Sequence, residues 1–164
     1  MTISSIPAVP VSGRRPFVTV DGWALKSNWR HLANLAPSAR TGAAVKANGY
    51  GLGLVPIAKS LFAAGCREFF VAWAEEGAEL RRAMPRLNYR VFVLQSLDAE
   101  AAALCREHKL IPVLSNPGEV ETWATSCVGR LPGAAALQFE TGMNRLGLDE
   151  TEARKAQAQA RSGG

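Results

Sequence analysis

The sequence predicts an α/β fold in which short buried strands alternate with amphipathic helices around a parallel sheet. Three observations carry this. Five short apolar runs recur along the chain; each is followed by a segment with apolar residues at helical spacing; and Gly, Pro or Asn punctuates the joins. Five such βα units build either an open doubly wound sheet or the first part of a closed (β/α)8 barrel, and periodicity alone does not choose. The 164 residues fall short of the roughly 250 of a typical closed barrel.

In chain order, Phe17 to Val20 alternates as an edge strand would, and Asp21 can cap a helix through Trp23, Leu25, Trp29, Leu32 and Leu35, with Pro37 just past its end. The five strands expected next are 43–47, 68–72, 90–95, 110–114 and 135–140, each reading as buried on both faces. Between the first two, Leu54, Ile57, Ala58, Leu61 and Phe62 form a crossover helix that Gly65 stops. Glu75 to Met84 carries acids early and Arg81 and Arg82 late, as the helix dipole favours, and Pro85 ends it. Leu97 to His108 gives the next helix, and Asn116 with Pro117 opens another in the favoured cap and first-turn positions. A last helix covers Glu150 to Ala160.

Composition narrows the function classes. The chain is 48% hydrophobic and 20% charged, with no apolar run approaching the roughly 20 residues of a membrane-spanning helix. A soluble protein without a membrane partner is expected. The net charge of +5 suits acidic small molecules, but the basic residues Arg14, Lys26, Lys59, Arg81, Arg106 and Arg154 are scattered without interleaved aromatics, which argues against a nucleic-acid surface. Cys66, Cys105 and Cys127 form no CxxC pair and two histidines are too few for a recognisable zinc pattern, so no metal site is expected. Odd, dispersed cysteines read as small core hydrophobes in a reducing cytoplasm. Residues 1–15 read as a flexible leader, since no sustained apolar segment follows Arg14 and Arg15.

Two stretches carry chemistry. In "AAVKANGYGLG" an apolar run delivers Lys46 to the C-terminal end of the first strand, where parallel sheets bind ligands. Alone, such a lysine is a solvated surface group. Here the run anchors its backbone in the core, so the amine is partly desolvated, the condition under which it can attack a carbonyl, and Gly49, Gly51 and Gly53 leave room for a ligand. A P-loop is excluded because Lys46 precedes the glycines, and the GxGxG spacing is not that of a dinucleotide fingerprint. The second stretch, "LQFETGMNRLGL", ends the fifth strand. Thr141 and Gly142 turn the chain outward, and Arg145 offers a fork of donors for a carboxylate, phosphate or phenolate.

Together "KANGYGLG" and "ETGMNRLG", in this order on strands one and five, resemble the motifs of the alanine racemase family, and "VAWAEEGAELR" is similar to its second strand and helix. The resemblance spans about 16–148. It implies an alanine-racemase-like (β/α)8 barrel of TIM type, incomplete here, with residues 16–164 as the N-terminal part of a barrel that binds pyridoxal 5′-phosphate and the C-terminal β domain absent. It further implies that Lys46 forms the internal aldimine and acts as one base, that Tyr50 binds the cofactor phosphate, and that Arg145 lies by the cofactor's phenolic oxygen and the substrate carboxylate. The activity implied is interconversion of L- and D-alanine, supplying D-alanine for cell-wall peptidoglycan in the cytoplasm, by a protein that is a homodimer at full length.

Departures from the family pattern are Leu52 for a histidine, Glu140 for an aspartate, and Gln138 where many relatives place a carbamylated lysine that holds the arginine. The family's second base, a tyrosine given across the dimer interface by the C-terminal domain, falls outside this chain. So do the arginine on the pyridine nitrogen and most phosphate ligands. The expectation is a chain that alone binds the cofactor weakly and racemises inefficiently; the alternative reading is a non-catalytic pyridoxal-phosphate carrier of similar barrel fold.

Overall fold

The computed structural model describes residues 18–129 and 133–162; the proposed leader and Phe17 lie outside them. Five parallel strands, β1 (Ala43–Ala44), β2 (Glu68–Val71), β3 (Arg90–Val93), β4 (Ile111–Leu114) and β5 (Ala136–Leu137), alternate with helices. These are α1 (Gly22–Leu35), α2 (Leu54–Ala64), α3 (Ala74–Ala83), α4 (Ala99–Glu107), α5 (Pro117–Cys127) and α6 (Glu150–Ser162), with a short helical turn at Lys46–Tyr50 between β1 and α2.

Strand order settles what periodicity left open. The sheet runs β1-β2-β3-β4-β5 with every neighbour parallel. A doubly wound sheet reverses its order at a switch point, which places helices on both faces. Sequential order with right-handed crossovers instead keeps every helix on one face, the arrangement of a barrel. The register pairs Ala44 with Phe70, Phe70 with Phe92, and Phe92 with Ile111, so one row of side chains crosses the sheet.

That geometry corrects the expectation of strands buried on both faces. β2, β3 and β4 alternate half-buried and buried residues. Phe69, Val71, Val91, Val93 and Leu114 are sealed beneath the helices with Val45, Leu54, Leu80 and Leu110. Phe70, Phe92, Ile111 and Val113 on the other face are only half-buried, and the Phe70 and Phe92 rings stack at 4.8 Å. Both faces are apolar in sequence because the second face is the interior of a barrel, and helices cover only the first.

Local chemistry sets most element ends. The Asp21 carboxylate accepts from the Trp23 and Ala24 amides at 2.8 and 3.0 Å and starts α1. Asp98 and Asn116 cap α4 and α5 in the same way. One expectation fails: Val18–Val20 form no strand. The first helix forms as expected, with Leu25 and Trp29 packed against the core and α2 as its main neighbour, while Trp23, Leu32 and Leu35 are exposed. β1 and β5 are also shorter than expected, since the chain leaves the sheet at Val45 and Gln138 to build the two loops described next.

The cysteines behave as core residues where they are buried. Burial pushes the Cys66 thiol up and the Cys105 thiol to about 12, with the Glu75 charge adding to the latter. Cys127 is half-exposed, its sulfur 3.0 Å from an Arg106 guanidinium nitrogen.

Candidate active site

Lys46 follows Val45, which is fully buried and whose amide bonds to the Phe70 carbonyl at 2.9 Å. The lysine therefore leaves the sheet from a fixed backbone, half-exposed at the C-terminal end of β1. The chain then turns left-handed. Ala47, Asn48, Gly49, Tyr50 and Gly51 all have positive φ, between 53° and 83°. Three of these are not glycine, which costs about 1–2 kcal/mol each, so the turn persists only because its surroundings hold it.

The holding groups are specific. Within the turn, Gly49 and Gly51 amides donate to Val45 and Ala47 carbonyls at 2.8 and 2.9 Å. Asn48 is its hub: its carbonyl accepts from Gly53, its side-chain oxygen accepts from the Leu54 amide at 2.8 Å and so starts α2, and its own amide donates to Glu76 at 3.1 Å. Gly49 is buried, and a Cβ there would lie 3.3 Å from the Leu54 nitrogen. It makes room for α2 rather than for a ligand. Space for a ligand exists at Gly51, where a Cβ would meet nothing within 4 Å. Tyr50, 62% exposed, stands between the two.

Arg145 sits on a loop closed at its base. Leu148 donates to the Gln138 carbonyl at 2.8 Å, Glu140 donates to the Leu148 carbonyl at 3.0 Å, and Gly147 donates to the Ser115 carbonyl at the end of β4. Gly147 has φ +133°, and a Cβ there would lie 2.5 Å from the Glu140 nitrogen, so no other residue fits. The Glu140 carboxylate fills the loop from inside, accepting from the Gly142 amide and, at 3.3 Å, from the Arg145 amide. Backbone amides of Asn144 and Gly142 hold this carboxyl below its ordinary 4.5. Gln138 does not engage the Arg145 guanidinium: its amide nitrogen donates to the Leu146 carbonyl at 3.1 Å and braces the loop instead.

Lys46 and Tyr50 thus share one turn, and Arg145 occupies the same end of the sheet at its opposite edge. No hydrogen bond or ion pair joins them, and neither Lys46 nor Arg145 has an acidic partner among the described residues. The arrangement offers an amine and a phenol on one turn and a guanidinium at the opposite edge of the sheet, with neither cation in an ion pair among the described residues. Sequence reasoning missed Asn48 and Glu76. The signal for Asn48 was its left-handed tolerance beside glycine, and for Glu76 its place three residues into α3.

The family model for the alanine racemase N-terminal domain matches residues 20–163. The chain belongs to that family. Among curated relatives, the alanine racemase of Methylobacterium sp. (strain 4-46) is 42% identical over 139 residues, 83% of this chain and 37% of that protein. The catabolic alanine racemase of Rhizobium johnstonii is 36% identical over 157 residues, 95% of this chain and 41% of that protein. The structure of alanine racemase from Bartonella henselae with covalently bound pyridoxal phosphate superposes with a TM-score of 0.74 at 37% identity, over 83% of this chain and 38% of that one. That from E. faecalis gives 0.79 at 26% identity, over 87% and 39%. The chain therefore spans well under half the length of the racemases it matches. Its fold is that of the alanine racemase barrel, with five of the eight βα units present.

Proposed function

We propose that this chain is the cofactor-holding part of an alanine racemase, with pyridoxal 5′-phosphate as cofactor and alanine as substrate. The observation that carries the reading is the pair of uncompensated cations, Lys46 and Arg145, on the family's two motif loops at one end of the sheet. The donor set fits the cofactor in kind: an amine for its aldehyde, a phenol for its phosphate with open space beside Gly51, and a guanidinium for its ring oxygen. When bound, pyridoxal phosphate withdraws electrons from the substrate α-carbon and makes its proton labile.

The chain's own groups then have separable tasks. Lys46 is the catalytic residue: its amine would hold the cofactor at its aldehyde until the amine of alanine takes its place there, and the lysine nitrogen so released would take or return the α-proton on one face of alanine. Tyr50 donates its hydroxyl to the phosphate. Arg145 pairs with the ring oxygen and orients the substrate carboxylate. Residues 16–164 supply this half, and the second base and most phosphate ligands come from the remainder of a full-length, dimeric and cytoplasmic racemase serving peptidoglycan synthesis.

Alanine in D2O distinguishes this reading from that of a carrier. With pyridoxal phosphate present, the chain should exchange the α-proton of one alanine enantiomer faster than free cofactor does, and should lose that advantage in Lys46→Ala. Exchange no faster than free cofactor would favour a carrier. Efficient interconversion of both enantiomers by the 164-residue chain would overturn the assignment of the second base to another region.

A further inference from the structure

We propose that Glu76 is a positioning residue for Lys46: its carboxylate ties the left-handed turn behind the lysine to the end of β2 and so sets where the amine lies. The proposal rests on the reading of Lys46 given above.

The case comes from comparing three glutamates in the same helical position. Glu76, Glu119 and Glu152 each stand third in their helices, where a glutamate ordinarily reaches back to the amide of its own helix cap. Glu152 does only this, accepting from the Asp149 amide at 3.0 Å. Glu119 stays in its own loop too, taking the Ser115 amide at 2.7 Å and the Ser115 hydroxyl at 3.1 Å. Glu76 differs. One oxygen accepts from Ala72 at 2.8 Å and from Trp73 at 3.3 Å, and the other crosses to the neighbouring loop and accepts from the Asn48 amide at 3.1 Å.

That second contact falls on the hub of a turn that glycine alone cannot explain, since Ala47, Asn48 and Tyr50 are left-handed as well. The Lys46 side chain makes no hydrogen bond or ion pair of its own among the described residues, so its direction is inherited from this backbone. A carboxylate is required rather than an amide, because three backbone N–H groups converge on it and an amide nitrogen cannot accept.

The test uses Glu76→Gln, with Asp98→Ala as a control that removes a helix cap at Ala101 without touching the turn. Without cofactor, the acetylation rate of Lys46 by acetic anhydride is measured by mass spectrometry relative to Lys155, which lies on α6. With pyridoxal phosphate, borohydride capture at Lys46 is followed in parallel. Glu76→Gln should change the Lys46 to Lys155 ratio and slow capture about tenfold, as displacement of a reacting group does, while Asp98→Ala leaves both unchanged. An unaltered acetylation ratio in Glu76→Gln, or an equal change in Asp98→Ala, overturns the proposal. Failure of the wild-type chain to capture pyridoxal phosphate at Lys46 counts against the cofactor reading alone, because the acetylation ratio still judges Glu76. Should Glu76→Gln not fold, Glu76→Asp decides: its carboxylate is one methylene too short to span from Ala72 to Asn48, so the Lys46 to Lys155 ratio should change, and an unaltered ratio overturns the proposal.

Discussion

Glu140 shows how one carboxylate can shape a loop through backbone amides alone. It gathers backbone amides of the Arg145 loop, and these hold its carboxyl below 4.5. A group lowered in the folded state contributes fully above its unfolded value and loses that contribution as pH falls through the lowered one. The loop amides of Gly142 and Arg145 should therefore move together in acid with a midpoint below the ordinary 4.5 of a glutamate, and Glu140→Gln should abolish that transition. Cys105 gives the opposite sign. Its thiol is raised to about 12 from 9.0, so its contribution is complete below pH 9 and declines between 9 and about 12. Thiol labelling at neutral pH should accordingly modify Cys127 and spare Cys105, and Cys105→Ala should blunt alkaline unfolding seen by circular dichroism. At this scale Lys46, Tyr50 and Arg145 are proposed from the sequence because their chemistry lies in the side chain and its local motif. Glu76 is not legible there, because the Asn48 amide that it bonds is 28 residues away, nor is the bond from the Gln138 amide to the Leu146 carbonyl.

Elements were legible where a local signal fixes them. Asp21 and Asn116 mark helix starts that the structure reproduces, since a cap works through atoms two or three residues away. Asp21→Ala should destabilise the chain by about 1 kcal/mol, read as a lowered melting temperature with little change in the Lys46 turn. β1 and β5 were read too long for a physical reason. Their apolar runs continue, but Val45 and Gln138 end the ladders so that the next residues can build a left-handed turn and a closed loop. Apolar patterning reports burial, and it does not report where a strand stops pairing. The same limit explains α1, whose stripe of Trp23, Leu32 and Leu35 was sound as a helix signal yet faces solvent.

At the scale of the whole molecule, the order of the five strands places the Lys46 and Arg145 loops. Each crossover steps one strand onward and returns on the helix side, so every strand's C-terminal end points the same way, with Lys46 at one edge and Arg145 at the other. The apolar row of Phe70, Phe92 and Ile111 along the uncovered face marks the barrel interior toward which those ends converge. Periodicity carried the βα units but not this choice of architecture, because single and double winding share one hydrophobic pattern.

The proposed role of Lys46 as the residue that holds the cofactor is tested most directly by chemistry. The wild-type chain is mixed with pyridoxal 5′-phosphate, reduced with borohydride, digested and mapped by mass spectrometry. The label should fall on the peptide containing Lys46, with Lys26, Lys59, Lys109 and Lys155 left largely unmodified. A label spread evenly over all five lysines, or no label at all, would contradict it.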